Sequence, residues 1–182
     1  AGYVLPSIHA WPPFFYQQPG AATQATQAEQ WTRLILSYAR HHRLFHLHPH
    51  PVHPPDPWAD ALANPRIKRS LKAPYLSSLL ASLVAQGLAV YDPPKQLHSV
   101  LLYWRLPSEW AEILFDWASS TAQLNTILTF YEITNPPVPS PLVDLPLPLL
   151  RSAIAILAKS GRAQLIEGAD GGGVRFFSPK PS

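Results

Sequence analysis

Six histidines stand between positions 41 and 53, in the run HHRLFHLHPHPVH: His41, His42, His46, His48, His50 and His53. Imidazole is a frequent metal ligand, so metal chemistry is sought here first. A metal site needs ligands that converge from rigid elements, each oriented by a second partner. Prolines interrupt this run, and Asp56 and Asp60 are the carboxylates nearby. Alternation places His46, His48 and His50 on one side of an extended segment, which suits adventitious metal binding rather than a functional centre. The run is expected to be one short strand followed by a loop, with no resident metal or cofactor.

Other catalytic chemistries lack their parts. The chain has no cysteine, so it has no thiolate nucleophile and no disulfide. No serine sits in a glycine-flanked strand-to-helix elbow. Gly171, Gly172 and Gly173 precede a strand rather than a helix and so form no phosphate loop. Glu109, Glu112, Asp116 and Glu132 are spaced as helix-surface charges. The proline-spaced stretch NPPVPSPLVDLPLPL (135–149) has the spacing of an SH3 ligand but no flanking arginine, and is expected to be a stiff connecting loop. These absences point to a protein that is not an enzyme.

The other chemistry on offer is recognition. WPPFFYQQPG, from Trp11 to Gly20, packs aromatic rings and prolines into a region where chains are usually frayed and polar. Pro12 and Pro13 fix φ and lack amide donors, so they cannot sit in a helix interior or a central strand. An extended polyproline conformation is expected, ordered before binding, with Phe14 and Phe15 free to fill a partner's pocket. The opposing possibility is that the aromatics fold back on the chain as a local plug. Trp11, Pro12, Pro13, Phe14, Phe15 and Tyr16 are the candidate partner-binding residues. Composition agrees with a binding role: 47% of the 182 residues are hydrophobic but only 14% are charged, leaving much surface uncharged.

The elements behind this segment come from an internal repeat. PYLSSLLASLVAQGLAVYD, from Pro74, matches PLLRSAIAILAKSGRAQLIEG, from Pro148, at an offset of 161 − 87 = 74 that pairs Gly87 with Gly161. WTRLILSYA, from Trp31, matches WAEILFDWA, from Trp110, at an offset of 110 − 31 = 79. Each copy predicts an amphipathic helix (28–41; 108–120), a shorter one (57–63; 126–134), a third (74–86; 146–160) ended by glycine, and a two-stranded hairpin (88–92 with 99–104; 163–167 with 173–177). Ser108 is expected to cap the first helix of the second copy. This order is that of the winged helix. The fold class is α+β: an extended proline and aromatic segment (1–27), a first winged helix (28–105) and a second (106–178).

Winged helices often read DNA with the third helix, using Arg, Lys, Asn or Gln. Here that helix offers Ser77, Ser78, Ala81, Ser82 and Ala85 in the first copy, and only Arg151 and Lys159 in the second, with Ile156 off the apolar stripe. Charge is uneven: residues 1–104 hold 8 Lys/Arg against 4 Asp/Glu, and residues 105–182 hold 6 against 7. The local excess at Arg66, Lys68, Arg69 and Lys72 is read as a solvated loop and helix start, with an anionic partner as the sharper alternative. A DNA-binding protein stays as the alternative function, and a metal-dependent protein as a third.

WPPFFYQQP, LLYWRLPSEWAEILFDWA, TFYEITN and GGGVRFF, in that order over most of the chain, resemble the vacuolar protein sorting-associated protein 25 family, the small subunits of the endosomal sorting complex ESCRT-II. The resemblance implies a non-enzymatic adaptor, cytoplasmic and recruited to the endosomal membrane, acting in the sorting of ubiquitinated cargo into multivesicular endosomes. It implies two copies of the small subunit bound to two large ESCRT-II subunits through the proline-aromatic segment and the first winged helix. It implies recruitment of the first ESCRT-III subunit through the second winged helix, where Ile156 is a candidate contact. Neither nucleic acid nor more than indirect or weak membrane contact is expected.

Overall fold

The computed structural model describes residues 2–168 and 171–178. The chain divides into two compact units, residues 1–104 and 105–182.

In the first unit, α1 (Ala21–His42) presents Gln27, Trp31, Leu34, Ile35, Tyr38 and Ala39 to the core, a spacing of three to four that lines one face of a helix. It starts earlier than the 28 expected from the apolar stripe, because Ala21, Ala22, Gln24 and Ala25 favour helix although they have little to bury. There follow β1 (His46–Leu47), α2 (Ala59–Leu62), a small hairpin of β2 (Ala63–Asn64) and β3 (Arg69–Ser70), α3 (Ala73–Ala85), β4 (Ala89–Tyr91) and β5 (Val100–Leu102). The three-stranded antiparallel sheet has the order β1-β5-β4, with Leu47 opposite Val100 and Ala89 opposite Leu102. Trp31, Ile35, Leu47, Leu76, Leu80, Leu83 and Leu101 fill the core.

The second unit repeats the plan: α4 (Pro107–Ser120), β6 (Ile127–Thr129), α5 (Phe130–Thr134), α6 (Leu147–Lys159), β7 (Ala163–Ile166) and β8 (Gly173–Phe176), with sheet order β6-β8-β7. The repeat offset of 74 persists in the hydrogen bonds. Leu88 N–H donates to Leu83 (2.9 Å) and Arg162 N–H to Leu157 (2.8 Å), closing α3 and α6 in the same way. Gly87 and Gly161 both sit at φ +73°, the left-handed turn that such a closure requires.

Local details differ from the sequence reading. Residues 126–134 are not one helix. Ile127–Thr129 form a strand, and Thr129 then caps α5, its Oγ1 accepting from Glu132 N–H (3.1 Å). Ser108 is not the cap of α4: Pro107 takes the first turn, and the Glu109 carboxylate accepts from the Leu106 amide (3.0 Å). The proline-rich 135–148 connection is anchored by Leu142 and Leu145, both buried. No helix among the described residues is long and apolar enough to cross a membrane.

Candidate protein-docking site

Residues 7–16 are not a continuous extended segment, although Trp11 and Tyr16 keep extended backbone. They form two 3-10 turns, Ser7–Ala10 and Pro12–Phe15. Proline tolerates the start of such a turn, since its fixed φ fits and its missing amide would have had no partner there. Phe14 N–H closes the second turn onto the Trp11 carbonyl (3.0 Å).

Apolar burial selects this turn over the extended form. Phe14 and Phe15 are 0% and 1% exposed, inside the first unit's own core. Phe14 stacks on the Trp31 ring at 4.1 Å and 1°, and Phe15 meets the same ring edge-on at 5.5 Å. Each buried phenylalanine contributes about 1.5–3 kcal/mol by removal from water. The carbonyls of the turn are matched as well, although the buried Gln27 Oε1 meets no partner among the described residues. Trp31 Nε1–H donates to the Phe14 carbonyl (2.8 Å), and the Gln27 and Gln18 amides donate to the Pro13 carbonyl (2.7 and 2.9 Å). The expectation that both phenylalanines are offered to a partner is therefore corrected for the free chain: they are held by Trp31.

The outer side of the segment is different. Trp11 is 51% and Tyr16 46% exposed, with Pro12 and Pro13 half-buried between them. Exposed tryptophan and tyrosine held on a rigid turn are the residue types that dominate protein interfaces. Arg69 adds a charge: its guanidinium lies 5.8 Å from the Tyr16 ring centroid, donates to the Ile67 and Lys68 carbonyls, and has a buried Nε–H with no partner among the described residues. Arg66, Lys68 and Lys72 beside it are exposed, as expected for a solvated patch.

His9, Gln27, Trp31 and Asn64 fix the segment and were not singled out from sequence as site residues. His9 Nε2–H donates to the Ala61 carbonyl (2.8 Å), and the Asn64 amide donates to the His9 carbonyl (2.9 Å). Burial pushes the His9 pKa down, against the opposing pull of the Ala61 carbonyl and Asp60. One signal was available: Gln27 is a polar residue four before Trp31 on the buried stripe of α1.

In the second unit Ile156 is half-buried, next to exposed Ala155 and buried Leu157. The third-helix surface of the first unit is small and uncharged, with Ser78, Ala81 and Ala85 exposed. Arg151 of α6 stands over the Phe130 ring at 5.0 Å. Among the described residues no group of three or more His, Asp or Glu side chains is placed to hold a metal ion.

The family model of an ESCRT-II complex subunit matches residues 8–137. The chain is 33% identical over 180 residues to vacuolar protein-sorting-associated protein 25 of Drosophila melanogaster, covering 97% of this chain and 99% of that one. It is 30% identical over 175 residues to the human protein of the same name, covering 94% and 96%. Its fold matches the crystal structure of subunit VPS25 of the endosomal trafficking complex ESCRT-II, with a TM-score of 0.81 at 18% identity over 94% of this chain and 98% of that one. A chain from the endosomal complex ESCRT-II (VPS22/VPS25/VPS36) matches with a TM-score of 0.78 at 17% identity, over 94% and 98%. Two winged helices in tandem are thus the shared fold, and the chain belongs to the vacuolar protein-sorting-associated protein 25 family of ESCRT-II complex subunits.

Proposed function

We propose that this chain is a non-enzymatic assembly subunit and adaptor of an ESCRT-II complex. It joins two large subunits, two copies of the chain per complex, through the outer side of its proline-aromatic turn: Trp11, Pro12, Pro13 and Tyr16. Phe14 and Phe15 serve the same contact from beneath, by locking the turn onto Trp31. The half-buried Arg69, its guanidinium beside the Tyr16 ring, puts a positive charge at the edge of this contact. The observation that carries this reading is the two-sided turn, apolar and sealed on one side, with a tryptophan and a tyrosine left in solvent on the other.

The second unit recruits the first ESCRT-III subunit, with Ile156 in the contact. The chain acts in the cytoplasm, reaches the endosomal membrane through its partners, and serves the sorting of ubiquitinated cargo into multivesicular endosomes. The test is co-purification with the two large subunits. Wild-type chain is retained. Trp11→Ala with Tyr16→Ala is lost at unchanged melting temperature. Retention of the double variant at wild-type level refutes the docking assignment.

A further inference from the structure

Two histidines of the first unit grip opposite ends of α2. At one end, His50 places Nδ1 2.8 Å from the His48 carbonyl and Nε2 2.6 Å from Asp56 Oδ2. A carbonyl and a carboxylate carry no hydrogen to donate, so this arrangement suits a His50 ring with a proton on each nitrogen. The other oxygen of Asp56 accepts from Trp58 N–H (2.8 Å), immediately before α2. Trp58 in turn donates Nε1–H to the His46 carbonyl (3.0 Å), and Tyr38 O–H donates to the Pro57 carbonyl (2.6 Å). The 46–58 loop is thereby closed onto α1 and the entry to α2.

At the other end, His9 donates Nε2–H to Ala61 of α2 from a site 3% exposed, against the edges of Phe15 and Trp31. A second proton on that ring would charge it among aromatic side chains, a burial penalty that outweighs the opposing pull of the Ala61 carbonyl and Asp60. His9 is two residues before Trp11, so the position of the docking turn depends on this seat.

We propose that the N-terminal docking turn is held by a proton-linked clamp around α2, closed when His9 is a neutral Nε2–H donor and His50 carries protons on both ring nitrogens, and opened when either ring changes state. The groups facing the two rings are defined. His50 meets Asp56 and the stacked His48 ring at 3.9 Å; His9 has Asp60 nearby and shares a surface cavity with His42, Tyr38 and Arg66.

The two limbs have opposite sign. Burial lowers the folded pKa of His9, so its hold is complete above the ordinary histidine value of about 6.5 and is lost as pH falls from there through the lowered folded value. The His48 carbonyl and Asp56 raise that of His50, so its hold is complete below about 6.5 and is lost as pH rises through the raised folded value. The clamp is closed in the window between the two folded values. The pKa of His48 is lowered by partial desolvation and by the charge of His50, which eases repulsion within the stacked pair.

The clamp is measured on the full chain alone. Long-range proton–nitrogen spectra of the histidine rings are recorded from about pH 5 to about pH 9, together with amide-exchange protection factors of Phe14, Phe15 and Tyr16, with second-unit amides as the reference. The expected result is an imidazolium pattern for His50 and a single Nε2–H tautomer for His9 at neutral pH, with turn protection falling on both sides. Each unit of separation between a folded and an unfolded pKa appears as about tenfold in protection. His9→Gln keeps an amide donor to Ala61 and flattens the acid limb. Asp56→Asn moves the alkaline limb to lower pH. Constant protection across the range, both limbs unchanged in the two variants, or a single ring proton on His50 at neutral pH overturns the clamp. Its regulatory meaning rests on the docking reading above. Failure of that reading shows separately, as large-subunit capture that ignores Trp11→Ala with Tyr16→Ala.

Discussion

Replacing Phe14 by alanine separates an internal plug from an exposed ligand. The ring is fully buried and stacks at 4.1 Å on Trp31, itself 0% exposed, so the variant leaves a cavity against the face of an indole that cannot turn away. The backbone bond from Trp31 Nε1–H to the residue 14 carbonyl survives, because it does not use the side chain. A buried Phe→Ala change costs about 3–5 kcal/mol, as lost transfer energy plus a cavity term. In a unit of this size each kcal/mol lowers the midpoint by about 4 °C or more, so the first unit's transition falls by about 12 °C or more. Calorimetry or denaturant titration of the chain, following the first-unit transition, measures the shift. Trp11→Ala is the control: at 51% exposure it changes stability by about 0.5 kcal/mol or less, yet it weakens large-subunit capture. A Phe14→Ala chain whose first transition moves by less than about 1 kcal/mol refutes the plug and returns the ring to the partner.

The second unit supports two further predictions. Ile156→Asp lowers binding of the first ESCRT-III subunit by about tenfold or more at unchanged melting; unfolding instead would identify Ile156 as core. Gly172→Ala places a Cβ 2.1 Å from Phe130 Cε2, so a core ring must shift, and the second-unit transition loses about 1–3 kcal/mol, measured by denaturant unfolding. Titration with duplex DNA at moderate salt gives only weak binding to the uncharged α3 surface; tight, steeply salt-dependent binding would favour the DNA-binding alternative.

Covalent pattern and local spacing determined much of this protein. Two copies of one unit at an offset of 74 are written in the residues themselves, and Gly87 and Gly161 mark the ends of α3 and α6 because only a left-handed residue closes a helix onto the following strand in that way. The apolar stripe of α3, from Leu76 to Leu83, was legible by its period, as was the short strand at His46 followed by a loop. Single-residue choices at element ends were less so: Thr129 ends a strand and caps a helix in one step, and a continuous apolar run hides that change of period.

The direction taken by Phe14 and Phe15 was not in the local sequence. A Pro-Pro pair fixes φ near −65°, and the second proline biases the first toward extended ψ, so local sterics favour the polyproline form over the 3-10 turn observed. The choice falls to a contact seventeen residues along the chain, where the Trp31 ring offers its face to Phe14 and its Nε1–H to the Phe14 carbonyl. The same holds for His50, whose pKa the His48 carbonyl and Asp56 raise, and for His9, whose pKa burial lowers against the opposing pull of Ala61 and Asp60 on α2. Composition supplies the groups, but burial and the acceptor each ring meets decide which are sealed inside, which are left for a partner, and which hold a proton.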